Sequence, residues 1–344
     1  MKINTKLFKY IFNTQLKAMF FVSFSIFGLI FLFDFAEATR KYPITNVSET
    51  IFALKISLLR SPSTFSEIMS YAYLTVATFC LWNLGQTRQM IALKSIGKSP
   101  RQILRPFFCC AAFIATFWIL VVHPIGVFLE EFYNKNLGKD TEINTNIWIN
   151  DTLHNRVIFL KTISGNNVEN LCIFEEGSKT FTEQAIIGKN TWKLKNITQI
   201  NNNEISSVEE IEIPKVLSSN LIRLLVKPPN RQDVYSLRKI YKIKKLDNIV
   251  LKLYELEFHK LLANCFSFIL FALIAAAVCF SVNRFKTKTS ITIQVVFSAI
   301  FFRFSSNLLE ALAYSGAIPI EMACWTVPII FACIFLSLLI WREG

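Results

Sequence analysis

The tripeptide Gly97-Lys98-Ser99 has the residue types that end a phosphate-binding P-loop. Such a loop needs an earlier glycine, so that backbone N–H groups can wrap the phosphates, and here that position holds Ala92. A strand should lead into the loop, whereas residues 86–89 are polar, and Pro100 follows at once. The pattern therefore argues against nucleotide binding and favours a polar, basic connection between two helices.

Cysteine and histidine patterns indicate no catalytic or metal-binding chemistry. Of the eight cysteines, only Cys172 lies outside apolar runs, so no disulfide framework is expected. The chain has no C-x-x-C and no H-E-x-x-H motif, and its only histidines are His123, His154 and His259. We expect no cofactor and no metal ion.

The composition is that of an integral membrane protein. The 344 residues are 53% hydrophobic, include 33 phenylalanines, and concentrate their apolar side chains in long runs. Each run has about the 20 residues needed to cross the hydrocarbon core, although the second is weaker. The runs cover residues 11–33, 65–84, 103–129, 261–282, 291–314 and 320–341.

The net charge of +13 sets an orientation rather than indicating nucleic-acid binding, because the basic residues lie beside the apolar runs. Basic groups without acids flank three runs, whereas the loop after the first run is mixed. With six spans, the positive-inside rule places both termini and these groups in the cytoplasm. The groups are Lys2, Lys6, Lys9 and Lys17; Arg88, Lys94, Lys98, Arg101 and Arg105; and Arg284, Lys286 and Lys288.

The polar middle of the chain, residues 133–232, then lies outside the cytoplasm. Short segments with alternating apolar residues are separated there by Gly, Asn and Ser clusters, which predicts an antiparallel sheet folded as a sandwich. We expect three divisions: 1–132 with the first three spans, 133–232 as the β domain, and 233–344 with a connecting helix and the last three spans.

Several stretches, in this order, resemble the LptF/LptG permeases of the lipopolysaccharide-export ABC transporter. They are "QTRQMIALKSIGKSPRQILRP", "FYNKNLG" with "IWIND", "YELEFHKLLAN" and "LLEALAYSGAIPIEMACWTVPIIFACIFLSLLIWRE", the last being closer to LptG than to LptF. The resemblance implies an α-helical membrane protein with six transmembrane helices, arranged 3+3 around an inserted periplasmic jellyroll-like β domain.

The resemblance also implies a non-catalytic permease subunit in the bacterial inner membrane that moves lipopolysaccharide towards a periplasmic bridge. The implied partners are a cytoplasmic ABC ATPase dimer, a paralogous permease half that forms a heterodimer, and a single-span periplasmic jellyroll protein. Two other classes stay open: an ABC-type mechanotransmission subunit that moves no lipid itself, and a lipid-modifying membrane enzyme. Against the enzyme, the sequence shows no nucleophile elbow, histidine-based pair or metal motif.

In this family, the segment that corresponds to residues 86–105 contains a coupling helix that docks on the ATPase. The family pattern usually has a glutamate where this chain has Gln89, which keeps the hydrogen-bonding reach but not the charge. Apolar contact at helical spacing remains, and Gly97 is expected to end the helix. The predicted contact residues are Arg88, Gln89, Met90, Leu93, Ile96 and Gly97. The alternative is a solvated basic loop that only sets topology.

The family further implies that spans one and five line the substrate cavity. We expect Arg40, Lys41 and Arg303 to face anionic lipid head groups, because a charge within a span rarely faces lipid. Acidic residues on the same spans would tune or pair these cations: they are Asp34, Glu37 and Glu310. The alternative is a structural ion pair, with Arg303 and Glu310 on one helical face and no substrate contact.

Overall fold

The computed structural model describes most of the chain and divides into two compact units. One unit comprises Met1–Glu130 with His259–Gly344, and the other comprises Glu131–Phe258. The described residues are 5–42, 46–87, 89–95, 97, 99–136, 144–151, 156–164, 167–175, 178–187, 191–201, 204–214, 224, 227–242, 249–280 and 288–343.

Helices precede and follow the strands along the chain. The first set is α1 (Thr5–Lys41), α2 (Val47–Gln86), α3 (Gln89–Ser95), α4 (Pro100–Phe117), a π-helical turn (Trp118–Val122) and α5 (His123–Asn136). After the strands come a 3₁₀ turn (Pro229–Arg231), α6 (Val234–Tyr241), α7 (Ile249–Phe280), α8 (Lys288–Tyr314) and α9 (Ile320–Glu343).

Five helical stretches among the described residues are long and apolar enough to cross a membrane. They are Lys6–Lys41, Gln102–Asn134, Leu251–Cys279, Thr289–Tyr314 and Ile320–Trp341. Each contains most or all of a predicted apolar run, and these five predictions are confirmed. The second run lies in α2, which is 40 residues long but does not reach the same apolarity. A sixth span therefore stays a prediction.

The fourth predicted run, residues 261–282, lies largely in α7, which forms the packed centre of the helical unit. In α7, 72% of the most apolar stretch is buried, compared with 11% in both α1 and α8. Phe268, Phe271 and Ile274 of α7 are fully buried. A helix that is apolar all round is expected at such a centre, whereas α1 and α8 leave wide apolar faces uncovered.

A close contact joins α2 to the start of α5. A Cβ added at Gly126 would lie only 3.2 Å from the Pro62 carbonyl oxygen, so the glycine allows the two backbones to approach. About two turns earlier, Trp118 Nε1 donates to the Ser66 carbonyl at 2.9 Å. The π-helical turn lies just before Pro124, whose missing N–H breaks the regular α-helical pattern.

The second unit contains a six-stranded antiparallel sheet in which every strand pairs with its sequence neighbour. The antiparallel sheet is as predicted. The order is a simple meander, with no Greek-key crossover among the described strands, so the jellyroll arrangement is not established by the pairing. The strands are β1 (Asn144–Asp151), β2 (Arg156–Ser164), β3 (Asn167–Glu175), β4 (Ser178–Ile187), β5 (Thr191–Asn201) and β6 (Glu204–Pro214).

In this sheet, the alternation of buried and exposed side chains is interrupted along one line that crosses the middle strands. Asn170 and Asn196 have left-handed backbones, with φ of 56° and 53°. Around this line, buried side chains lie three positions apart rather than two, as at Val168 and Leu171 on β3, Thr182 and Ala185 on β4, and Leu194 and Ile197 on β5. Such a break bends a sheet and keeps both sides facing one core, which includes Trp192.

The left-handed backbone at Asn196 predicts a residue-specific effect on stability. Asn196→Ala should destabilise the sheet by about 1 kcal/mol, because a Cβ without a local hydrogen-bonding group is disfavoured there. Asn196→Gly should be tolerated, since glycine adopts this conformation freely. Hydrogen exchange of β4, β5 and β6 in the full-length protein measures the difference. Equal loss of protection in both variants would show that the side chain, not the backbone, matters.

Candidate functional site

A charge cluster joins the end of α1 to α2. Arg60 Nη1 lies 2.8 Å from Glu37 Oε2, and Arg60 Nε lies 3.7 Å from Asp34 Oδ1. Lys41 Nζ contacts Glu37 Oε1 at 2.6 Å, and the Ser61 hydroxyl donates to Asp34 Oδ2 at 2.9 Å. The buried Asp34 is therefore partnered by groups from α2, and the two acids and two bases neutralise one another.

Three of the four predicted α1 residues thus have acid–base partners, and the fourth lies outside the cluster. Asp34, Glu37 and Lys41 lie in the cluster, whereas Arg40 is exposed on α1. Arg60 was missed from the sequence because it lies 23 residues from Glu37 and reaches it only when α1 packs against α2. The spacing of 34, 37 and 41 already placed those three on one helical face.

The two predicted α8 residues contact different helices. Glu310 Oε2 forms an ion pair with Lys260 Nζ of α7 at 3.2 Å, and both side chains are largely buried, with 16% and 25% exposed. The exposed Arg303 hydrogen-bonds the Tyr71 hydroxyl of α2. The structure thus gives Glu310 a partner on α7 that sequence spacing did not suggest. The Arg303 side chain is thus bonded to Tyr71 and remains exposed.

The connection after α2 contains the short helix α3, which includes three of the predicted coupling residues. Gln89 is exposed, while Met90 and Leu93 are half-buried and lie three positions apart, on one helical face. Gly97 has a φ of 80°, and Ser99 with Pro100 starts α4. The left-handed glycine allows the chain to turn between the helices. Arg88 and Ile96 lie outside the described residues.

The β unit presents aromatic side chains on the face opposite its core. Trp148, Phe159, Phe174 and Phe181 form a chain of ring contacts with centroids 4.6 to 6.4 Å apart. Trp148 is 45% exposed and Phe181 is 38% exposed. A cleft of about 530 Å³ lies beside Phe181, along the line of the sheet bend, with Asn170 and Asn196 among its lining residues. This surface offers both apolar contact and hydrogen bonding.

A cross-strand ion pair on β5 and β6 is the clearest electrostatic feature of the sheet. Lys193 Nζ lies 2.9 Å from Glu212 Oε1. The hydrogen bond from Lys193 lowers the pKa of Glu212, and the same bond raises the pKa of Lys193. The stabilisation from Glu212 is present above the usual carboxyl pKa and is lost as pH falls through its lowered value. Both side chains are about half exposed, so the contribution is small.

Residues near Lys227 tie together separate parts of the second unit. Lys227 Nζ contacts Glu131 Oε2 of α5 at 2.7 Å, and its carbonyl accepts a hydrogen bond from Tyr254 of α7 at 2.7 Å. The buried Gln232 donates to the carbonyls of Leu224 and Lys227. Sequence analysis missed this junction, because Glu131 and Lys227 are 96 residues apart and the members share no motif.

Comparison with known proteins identifies the chain by its whole length rather than by one site. The family model described as "Lipopolysaccharide export system permease LptF/LptG" matches residues 9–341. A search of curated proteins gives no match. The matched range includes both compact units, and one model covers LptF and LptG together, so it does not separate the two.

The ion pair between Lys260 and Glu310 predicts a charge-swap rescue. Lys260→Gln should lower stability by about 2–3 kcal/mol, somewhat less than for a fully buried pair, because the carboxylate loses its partner. Lys260→Glu with Glu310→Lys should recover most of that loss. Thermal unfolding of the purified full-length protein measures both effects. A double variant no more stable than Lys260→Glu alone would argue that the pair contributes little.

Proposed function

Because the chain belongs to the LptF/LptG family of lipopolysaccharide export permeases, we propose that it is one permease half of an ABC transporter. In this proposal, the transporter extracts lipopolysaccharide from the inner membrane and passes it to a periplasmic bridge that leads towards the outer membrane. The family match over residues 9–341 carries the proposal. Five apolar helices, with a sheet inserted between them in the sequence, agree with a multi-pass membrane permease.

The proposed orientation places both termini in the cytoplasm and the sheet in the periplasm. It rests on the acid-free basic segments at the start of α1, after α2 and before α8. α2 would be the sixth span: it is 40 residues long, and burial of its serine-containing face within the bundle removes the need for apolar residues all round. The bend at Asn170 and Asn196 supports a jellyroll-like closure of the meander, with 133–232 as the β domain.

The substrate is proposed to contact the uncovered faces of α1 and α8. These helices are the least buried of the five apolar ones. Arg40, Lys41 and Arg303 are exposed and can meet phosphate groups, while Asp34 and Glu37 position Arg60 and Lys41. Glu310 acts through Lys260, as a structural residue. A paralogous half, with this chain as the LptG-like one, would complete the cavity.

Force from ATP hydrolysis is proposed to enter through α3. A partner ATPase dimer would dock on the segment between α2 and α4, which is short, basic and turned by Gly97. Exposed Gln89 and the half-buried pair Met90 and Leu93 are the described contact residues. Further along the path, a single-span periplasmic jellyroll protein would receive lipid from the β unit. The chain itself would hydrolyse no nucleotide, since family members serve as permease subunits.

Cysteine labelling in intact cells tests the orientation. Glu169 on β3 and Ser95 on α3 are both exposed, so single cysteines at these positions should react equally well once membranes are broken. In intact spheroplasts, a membrane-impermeant maleimide should label Glu169→Cys and leave Ser95→Cys unlabelled. The reverse labelling pattern would invert the proposed topology.

A charge placed on α3 tests the coupling role. Leu93→Asp should reduce recovery of the ATPase at least tenfold in detergent pull-downs, because a carboxylate would enter the apolar contact. Ser95→Asp adds the same charge at an exposed position of the same helix and should retain the ATPase. Membrane insertion of both variants is checked by fractionation. Equal recovery from the two variants would contradict docking through Leu93.

Replacing the α8 arginine tests the substrate contact. Arg303→Gln removes a cation that can hold phosphate by two parallel hydrogen bonds, so lipopolysaccharide retained by the purified complex should fall about tenfold. Tyr71→Phe removes the hydrogen bond to Arg303 but keeps its charge, and should lose far less lipid. Mass spectrometry of bound lipid gives the readout. Similar losses in both variants would indicate that Arg303 acts through helix packing.

A further inference from the structure

A cleft lies between α2 and α8, and its lining includes none of the charged residues assigned to the substrate. It is a cleft of about 260 Å³, lined by four residues of each helix, among them Thr78, Trp82, Ile291 and Val296. Trp82 is four residues from the end of α2 at Gln86, and Ile291 is three residues from the start of α8. The cleft therefore lies at one end of both helices.

The lining of this cleft is mostly apolar, although three of its eight residues are threonines. The Thr75 hydroxyl donates to the Ala72 carbonyl at 2.7 Å, and the Thr78 hydroxyl donates to the Leu74 carbonyl at 2.8 Å. These hydroxyls are bonded within their own helix and therefore need no polar partner from a ligand. The volume lies below the roughly 300–1,000 Å³ of sites that enclose a drug-sized molecule. A segment of one acyl chain fits this shape and chemistry.

The cleft opens to the outside of the helical unit. Of its lining residues, Phe79 is 60% exposed and Val296 is 48% exposed. For helices that cross a membrane, such an opening faces hydrocarbon, where acyl chains are the available ligands. Trp82 suits the rim, because indole rings favour the boundary between hydrocarbon and head groups.

The basic residues that follow α2 and precede α8 in the sequence favour anionic lipids. Five basic residues and no acid occur in residues 88–105, which follow α2, and Arg284, Lys286 and Lys288 precede or begin α8, again without an acid. Both helix ends that border the cleft thus connect to strongly basic segments. Basic segments at a membrane surface attract anionic head groups, at about 1 kcal/mol for each Lys or Arg.

We propose that this cleft binds one acyl chain of an anionic glycerophospholipid, whose phosphate is attracted by the basic segments that follow α2 and precede α8 in the sequence. The proposal rests on the topology given under the proposed function, which puts this end of α2 and α8 at the cytoplasmic leaflet. The ligand is therefore a resident lipid of the cytoplasmic leaflet rather than the exported one. It would bind close to the connection that contains α3 and hold α2 against α8 there.

Quenching of Trp82 fluorescence by brominated acyl chains tests the site. The full-length chain, purified with its partners, is placed in nanodiscs that contain brominated phosphatidylglycerol or brominated phosphatidylcholine at equal mole fraction. Subtracting the signal of Trp82→Phe isolates the Trp82 contribution. Apparent affinity at Trp82 should be about fivefold higher for the anionic lipid, as expected from one basic side chain contributing about 1 kcal/mol.

Two matched variants on α8 locate the effect. Val296→Phe enlarges a residue that lines the cleft and should abolish the preference, whereas Ile293→Phe enlarges an exposed neighbour outside the cleft lining and should keep it. Equal affinity for both head groups would overturn the proposal, as would loss of preference in both variants. Absence of quenching by either lipid would show that a protein surface covers the cleft, which also overturns it.

The assay contains no lipopolysaccharide and needs no transport. Failure at this cleft therefore leaves the Arg303 test of the permease function unaffected. Conversely, loss of lipopolysaccharide binding in Arg303→Gln would not alter Trp82 quenching if the cleft binds its own lipid.

Discussion

Within a hydrocarbon layer, a polar group must find its partner inside the protein, and the helical unit is organised by that constraint. Tyr73 shows it most directly. Its fully buried hydroxyl lies 2.9 Å from the Phe107 carbonyl of α4 and 3.2 Å from the side-chain amide of Gln15 on α1. The single proton of this hydroxyl faces two acceptors, the nearer Phe107 carbonyl and Gln15 Oε1, so this one polar group links three helices. One side chain of α2 thereby fixes both neighbouring helices.

The same constraint explains where the charges are. Asp34 and Glu37 are partnered from α2 by Arg60, and Glu310 is partnered from α7 by Lys260. Each pair joins two helices, so burying a charge also sets their relative position. The apolar part of α7 follows a different pattern, because 72% of its most apolar stretch is buried. With α7 at the centre, α1 and α8 keep faces free for lipid or for another protein chain.

The β unit follows different rules, because it is proposed to be surrounded by water rather than lipid. Its ion pairs, such as Lys193 with Glu212, lie on the surface and contribute little. Its shape depends instead on backbone geometry, since the left-handed residues Asn170 and Asn196 let neighbouring strands shift their buried positions at one line. The cleft beside Phe181 lies along the same line.

The sequence by itself determined the local features of this protein: five apolar helices, an antiparallel sheet, and a helical face on α1 that carries Asp34 and Glu37. These depend on periodicity and on hydrogen bonds between residues close in the chain, which a sequence pattern records. Only the tertiary structure decided the partners. Arg60 and Lys260 were not predicted, and neither was the cleft beside Trp82, because each depends on which helices pack together and at what height. A contact between residues far apart in the chain produces no periodic pattern in the sequence that could predict it.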